Sequence, residues 1–214
     1  MNGEREVRVM TQALELREDG EGRPVIAGYA AVFGEWSVDL GGFVERIQPG
    51  FFEPVLEGDV RALWQHDSSY VLGRTTNGTL RLREDERGLA VEITPPETSW
   101  ASDALVSLRR GDVSQMSFAF TVAEDRWEPA EAGPARRTLI RARELYEVSP
   151  VTFAAYPQTS VSARQRAADL RAQADGQAGD DNAPEELTRA REALRQRIDV
   201  RRRMLLDGLD QSDR

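Results

Sequence analysis

The chain has no cysteine, no lysine and one histidine among its 214 residues. Without cysteine there is no thiolate nucleophile, no zinc ribbon and no Cys/His metal site. Without lysine there is no serine–lysine dyad and no Schiff-base chemistry; all 28 basic residues are arginine. If this protein uses an imidazole base, the base is His66, because there is no other. Long apolar runs are missing too. No stretch approaches the 18 apolar residues of a membrane-spanning helix, and residues 1–5 lead no apolar run of the signal-peptide kind. Zero cysteine fits a reducing compartment. The expectation is a soluble intracellular protein that touches no membrane.

What is present is charge, unevenly spread. The net charge is −9. Residues 164–214 hold 11 arginines and 11 acids, so the 17 arginines and 26 acids of residues 1–163 carry all of it. An acidic body lacks the clustered basic face that nucleic-acid binding requires.

Residues 6–163 read as short strands broken by Gly, Asn and Asp. Val25 to Phe33 is apolar and bounded by Gly20-Glu21-Gly22 and Gly34. Val60 to Trp64 is a short apolar run. Asn77-Gly78 is the strongest hairpin signal, joining 71–76 to 79–82, with 88–93 as a further strand. Residues 51–56 suggest a helical turn or two. Residues 100–109 form a better helix: Thr98 or Ser99 caps it, Leu105 and Leu108 share a face, and Gly111 stops it. Strands follow at 114–122 and 139–148, then an extended 150–153. The pattern predicts an α+β fold, a partly closed β-barrel ringed by a few helices. After Ser162 the composition changes. Residues 163–174 are helical in composition, 175–183 form a polar linker, and a second helix runs from Asn182 and Pro184 to about Leu206. Its narrow stripe of Leu187, Ala190, Leu194, Ile198 and Leu205 fits a surface helix packed on the body or a detachable helix seeking a partner, and the linker favours the second. The domain division is 1–163 and a tail, 164–214.

Four places can carry chemistry, and each has an ordinary reading as well. His66, in Leu63-Trp64-Gln65-His66-Asp67, is a hydrogen-bonded structural residue or a base. Ser117 interrupts the apolar Met116-Ser117-Phe118-Ala119-Phe120, and is a buried, hydrogen-bonded serine or a nucleophile. Glu147, in a strand-like run, faces solvent or holds an imidazole in one tautomer. Arg109-Arg110 complements the dipole of the preceding helix or stabilises an oxyanion.

Singly these are weak; their order and contexts are not. Gly28-Tyr29-Ala30-Ala31-Val32-Phe33, Phe43-Val44-Glu45-Arg46-Ile47-Gln48-Pro49-Gly50-Phe51-Phe52, the His66 segment with Val71-Leu72-Gly73-Arg74, the Ser117 segment from Gly111 to Phe120, and Leu145 to Thr152 stand in sequence over some 130 residues. Together they resemble the prohead (capsid maturation) proteases of tailed bacteriophages. That family is similar in fold to the herpesvirus maturation protease, a β-barrel ringed by helices.

The resemblance implies a serine endopeptidase with His66 as base and Ser117 as nucleophile, chemistry that needs no metal and no cofactor. Herpesvirus enzymes use a second histidine as third member. This chain has none, and Glu147 is the candidate, with Glu144 behind it. The departures are Gln65 where the family usually has Asn, Ala119 where it usually has Gly, and Ala154 where it often has Pro. The oxyanion falls to backbone N–H groups or to an arginine such as Arg110. Expected substrates and partners are the scaffolding protein or the scaffolding segment of the major capsid protein, and the protease itself, inside the immature prohead in the host cytoplasm. Residues 164–214 would target the enzyme to scaffold, and the linker would be a self-cleavage region. The rival readings are a non-catalytic scaffold or capsid assembly protein, and a ligand-binding barrel with an enclosed apolar cavity.

Overall fold

In the computed structural model, which describes residues 4–10, 14–129, 133–153 and 161–177, the strands follow the turn residues closely. They are β1 (Glu6–Met10), β2 (Glu15–Glu18), β3 (Pro24–Val32), β4 (Phe43–Ile47), β5 (Arg61–Trp64), β6 (Asp67–Arg74), β7 (Leu80–Glu84), β8 (Gly88–Ile93), β9 (Gln115–Glu128) and β10 (Ala135–Val151). The helices are α1 (Ser99–Arg110) and α2 (Val161–Gln177), and residues 51–56 supply the short 3-10 turn Glu53–Val55. Thr98 caps α1 by accepting from the Ala101 N–H, and Gly111 ends it at φ 79°, a left-handed conformation that costs glycine nothing.

The fold is mixed α+β and mostly strand, but the strands do not close into the expected barrel. Among the described residues they form two sheets. One has the order β1-β9-β10-β5-β6 with β4 also on β10; the other has the order β2-β3-β8-β7. The reason lies partly at Asn77-Gly78. The expected hairpin there does not form, because Thr75–Asn77 is a 3-10 turn and β6 and β7 pair in different sheets. At this corner a Cβ on Gly73 would lie 2.6 Å from the Thr79 carbonyl oxygen, so the approach needs glycine.

Both sheets contribute to one core. Ile26, Leu80, Leu89 and Ile93 meet Met116, Phe118, Phe120, Leu139 and Val148. Phe51 and Phe52 enter from the segment before the 3-10 turn and meet Phe120 and Phe118 edge-on, each with ring centroids 5.6 Å apart. Each such buried ring contributes about 1.5–3 kcal/mol.

A second, smaller apolar cluster joins Leu40, Phe43 and Ala135 to Ala163 and Ala167 of α2. By contacts the chain divides into residues 1–171 and 172–214, and of the latter only the end of α2 is described. The rest of the expected linker and the helix expected over 184–206 lie outside the described residues.

Charge is buried as well. Glu6 and Arg8 on β1, Glu45 on β4 and Arg137 on β10 are all nearly inaccessible. Arg8 donates to Glu6 and to both oxygens of Glu45. Arg137 donates to both oxygens of Glu6 at 2.9 Å, to Glu45 at 3.2 Å and to Asp125 at 2.8 Å. Burial pushes the Glu6 carboxyl up, but Arg137 and Arg8 outweigh it and hold it below the usual carboxylate value.

Candidate active site

Gln65 and His66 are the two-residue turn between β5 and β6, with φ of 57° and 64°. A two-residue hairpin loop with both residues left-handed is a type I′ turn, for which Asn-Gly is the comfortable choice. Here two residues with full side chains take it, at a cost of about 1–3 kcal/mol each. The strain is held from β10 and the residue after it. The Gln65 N–H donates to Pro150 O at 3.1 Å, the Gln65 amide donates to Thr152 Oγ1 at 2.7 Å, and the Thr152 N–H donates back to Gln65 Oε1 at 3.1 Å. This clamp sets where the His66 ring goes. Its Nδ1 lies 3.0 Å from Glu147 Oε1.

Glu147 reaches that position through a β-bulge. Leu145 stands opposite Phe120 and Glu147 opposite Ala119, so Tyr146 is an extra residue in the ladder. Without the bulge, Glu147 would share the core-facing side with Leu145. With it, Glu147 turns to the opposite face, where Ser149 lies opposite Ser117. Directly opposed side chains on one face have Cβ atoms about 4.5–5.5 Å apart. Ser117 and Ser149 are 0% exposed and Glu147 is 4% exposed.

Glu147 accepts from three donors. Oε1 takes His66 and Arg5 Nη2, the latter at 2.7 Å, and Oε2 takes Ser149 Oγ at 2.5 Å. Burial pushes this carboxyl up; the hydrogen bonds from His66 and Ser149 and the charge of Arg5 outweigh it and hold it below the usual value. An ionised carboxylate at Nδ1 makes Nδ1 the protonated nitrogen of a neutral ring, which leaves a lone pair on Nε2. Nε2 is buried and has no hydrogen-bond partner among the described residues.

The structure therefore brings His66 and Glu147 together and sets Ser117 on the same face of the sheet. It does not join Ser117 to His66: the Ser117 hydroxyl donates to the Arg8 carbonyl of the neighbouring β1 at 2.9 Å. Glu144, the second candidate, is exposed and acts on the neighbouring Tyr146 hydroxyl, which burial and this carboxylate push up. Arg110 pairs with Asp112 at 3.1 Å on the exposed end of α1. Two contacts escaped the sequence reading. Ser149 lies two residues from Glu147, so strand alternation alone places both on one face. Arg5, which also lies over the Tyr146 ring at 5.0 Å, left no signal. Among the described residues no group of three or more His, Asp or Glu is arranged to hold a metal ion.

The arrangement can do acid–base chemistry: an imidazole fixed by an anion on one side, with an unengaged nitrogen on the other and a serine on the same sheet face. A family model described as caudovirus prohead serine protease matches residues 12–173. Neither a curated protein nor a solved structure matches the chain.

Proposed function

The chain belongs to the caudovirus prohead serine protease family, and from that premise we propose that it is a serine endopeptidase that cuts scaffolding protein, or the scaffolding segment of the major capsid protein, inside the immature capsid. The observation that carries this reading is the His66–Glu147 pair, with Nδ1 held at 3.0 Å and Nε2 buried and without a hydrogen-bond partner among the described residues.

In this reading the Ser117 hydroxyl leaves the Arg8 carbonyl and gives its proton to His66 Nε2 as the oxygen attacks the scissile carbonyl. The imidazolium is stabilised by Glu147 and passes the proton to the leaving amine, which releases the first product and leaves an acyl-Ser117. Water, activated by the same Nε2, then hydrolyses the ester. Backbone N–H groups supply the oxyanion contacts; the engagement of Arg110 with Asp112 speaks against the arginine. The proposed kinship with the herpesvirus maturation protease fits this chemistry, with Glu147 in place of the second histidine. Residues 164–214 serve to hold the enzyme to scaffold in the assembling prohead, and the chain also cuts itself.

The test is co-expression with the adjacent capsid genes and mass spectrometry of the products. The wild type yields trimmed capsid or scaffolding protein, and Ser117→Ala and His66→Ala yield none while melting as folded proteins. Wild-type trimming by a folded Ser117→Ala chain would leave the non-catalytic assembly protein as the better reading.

A further inference from the structure

Glu147 has two oxygens, and the proposed mechanism uses only one. We propose that Ser149 is a positioning residue of this site: its hydroxyl locks the Glu147 carboxylate in the orientation that aims Oε1 at His66. The inference rests on the protease reading above.

The terminal torsion of a glutamate is broad, so a carboxylate held through one oxygen can swing. The Ser149 hydroxyl has one proton, and it goes to Oε2 at 2.5 Å. A hydroxyl-to-carboxylate hydrogen bond is charge-assisted and among the stronger kinds. Ser149 is 0% exposed, so no bulk water competes for either partner. The backbone leaves the pair little freedom. Ser149 and Glu147 lie two apart on β10 immediately after the bulge; Ser149 pairs with Ser117 of β9, and Glu147 and Val148 pair with β5, the strand that leads into the His66 turn.

The alternative ties on the carboxylate are weaker as orienting devices. Arg5 shares Oε1 with His66 and its side chain is 51% exposed. The Arg61 backbone pairs with that of Glu147, but its guanidinium lies on Asp59 at 3.1 Å. Ser149 is thus the one buried donor that reaches Oε2 among the described residues. Its commitment to Glu147 also separates it from Ser117: two buried serines face each other across the ladder, one bound to the acid and the other to a neighbouring main-chain carbonyl.

The experiment uses the full chain and a fluorophosphonate, which phosphonylates an activated serine without needing the natural substrate. Rate constant and apparent affinity are separated by varying probe concentration, and labelling is repeated across pH. Ser149→Ala should label about 10- to 100-fold more slowly at saturation, with apparent affinity within about twofold of wild type. With the Ser149 donor gone the carboxylate swings and faces the imidazole less steadily, so it stabilises the protonated ring less and the acid limb of the rate moves to lower pH. Ser149→Thr, which keeps the hydroxyl, should restore both rate and limb. A folded Ser149→Ala chain with wild-type rate and limb would overturn the inference, as would failure of Ser149→Thr to rescue. A Ser149→Ala chain that does not fold would make the residue structural and overturn it too. Phosphonylation of Ser149 in the wild type would make it the nucleophile instead. His66→Ala is the control on the premise: if it labels like wild type, the protease reading fails, and the inference falls with it.

Discussion

Two groups of charged and polar residues gather around buried carboxylates of the same sheet, and they are built to opposite ends. The first joins Glu6, Arg8, Glu45, Asp125 and Arg137 across β1, β4, β9 and β10. The second joins Arg5, His66, Glu147 and Ser149. Glu6 and Arg8 lie on one face of β1, opposite Phe120 and Phe118, while Ser117 and Glu147 lie on the other face of the sheet. In the first group every carboxylate is met by guanidinium, a group that does not give up its proton in a protein. It is a closed circuit whose product is register. In the second, the carboxylate is met by a neutral imidazole as well as a guanidinium, and one imidazole nitrogen is buried without a hydrogen-bond partner among the described residues. In the proposed reading, that nitrogen is the difference between charge buried for architecture and charge buried for chemistry.

The comparison breaks first at Glu147. Glu147→Gln should cut proteolysis by about three to four orders of magnitude, as loss of a triad carboxylate does, while destabilising the fold by only about 1–2 kcal/mol. Initial rates beside a thermal melt decide it; a glutamine variant with normal turnover would move this group into the architectural class. Arg137→Met is the complementary break. Removing one member of a buried ion cluster strands the others and costs about 3–5 kcal/mol. Urea unfolding should show that loss, while fluorophosphonate labelling per folded molecule stays within about twofold of wild type.

Acid should separate the groups in another way. Glu6 and Glu147 are both held below their ordinary values. Their folded values lie under their unfolded ones, so the stability they contribute is complete above the ordinary carboxylate range and drains away as pH falls through the depressed values. Activity that depends on an unprotonated imidazole base is lost earlier, because the ordinary range of an imidazole lies above that of a carboxylate. Circular dichroism and labelling rate followed together down the pH scale should show a folded, inactive chain between the two losses. Coincident loss would mean that one event controls both.

The smallest effect is expected at Gln65. Asparagine suits a left-handed position better but is one carbon shorter and loses the reach to Thr152. The two changes oppose each other, so Gln65→Asn should alter stability by less than about 1 kcal/mol and labelling by a few-fold at most, as a melt and a rate measurement would show.

These residues also mark what the sequence could tell. Turn residues and apolar runs place β3, β8 and α1 closely, because Gly, Pro and cap residues act locally. They do not say which strands pair, and so the Asn-Gly turn reads as a hairpin when it is a passage between sheets. His66 stands out by being the single histidine. Glu147 is harder for a physical reason: alternation from Leu145 would turn it toward the core, and only the bulge at Tyr146 reverses it. Ser149 was legible by spacing from Glu147. Arg5 was not, since its contact depends on β1 adding to the far edge of β9, a long-range pairing without a local signature.

The central claim is that His66 and Glu147 activate one particular serine. Full-length protein treated with a fluorophosphonate, digested and mapped by mass spectrometry tests it most directly. The account predicts a single phosphonylated site at Ser117, absent from His66→Ala and strongly reduced in Glu147→Gln. Modification at another serine, or equal modification of Ser117 when His66 is alanine, would contradict it.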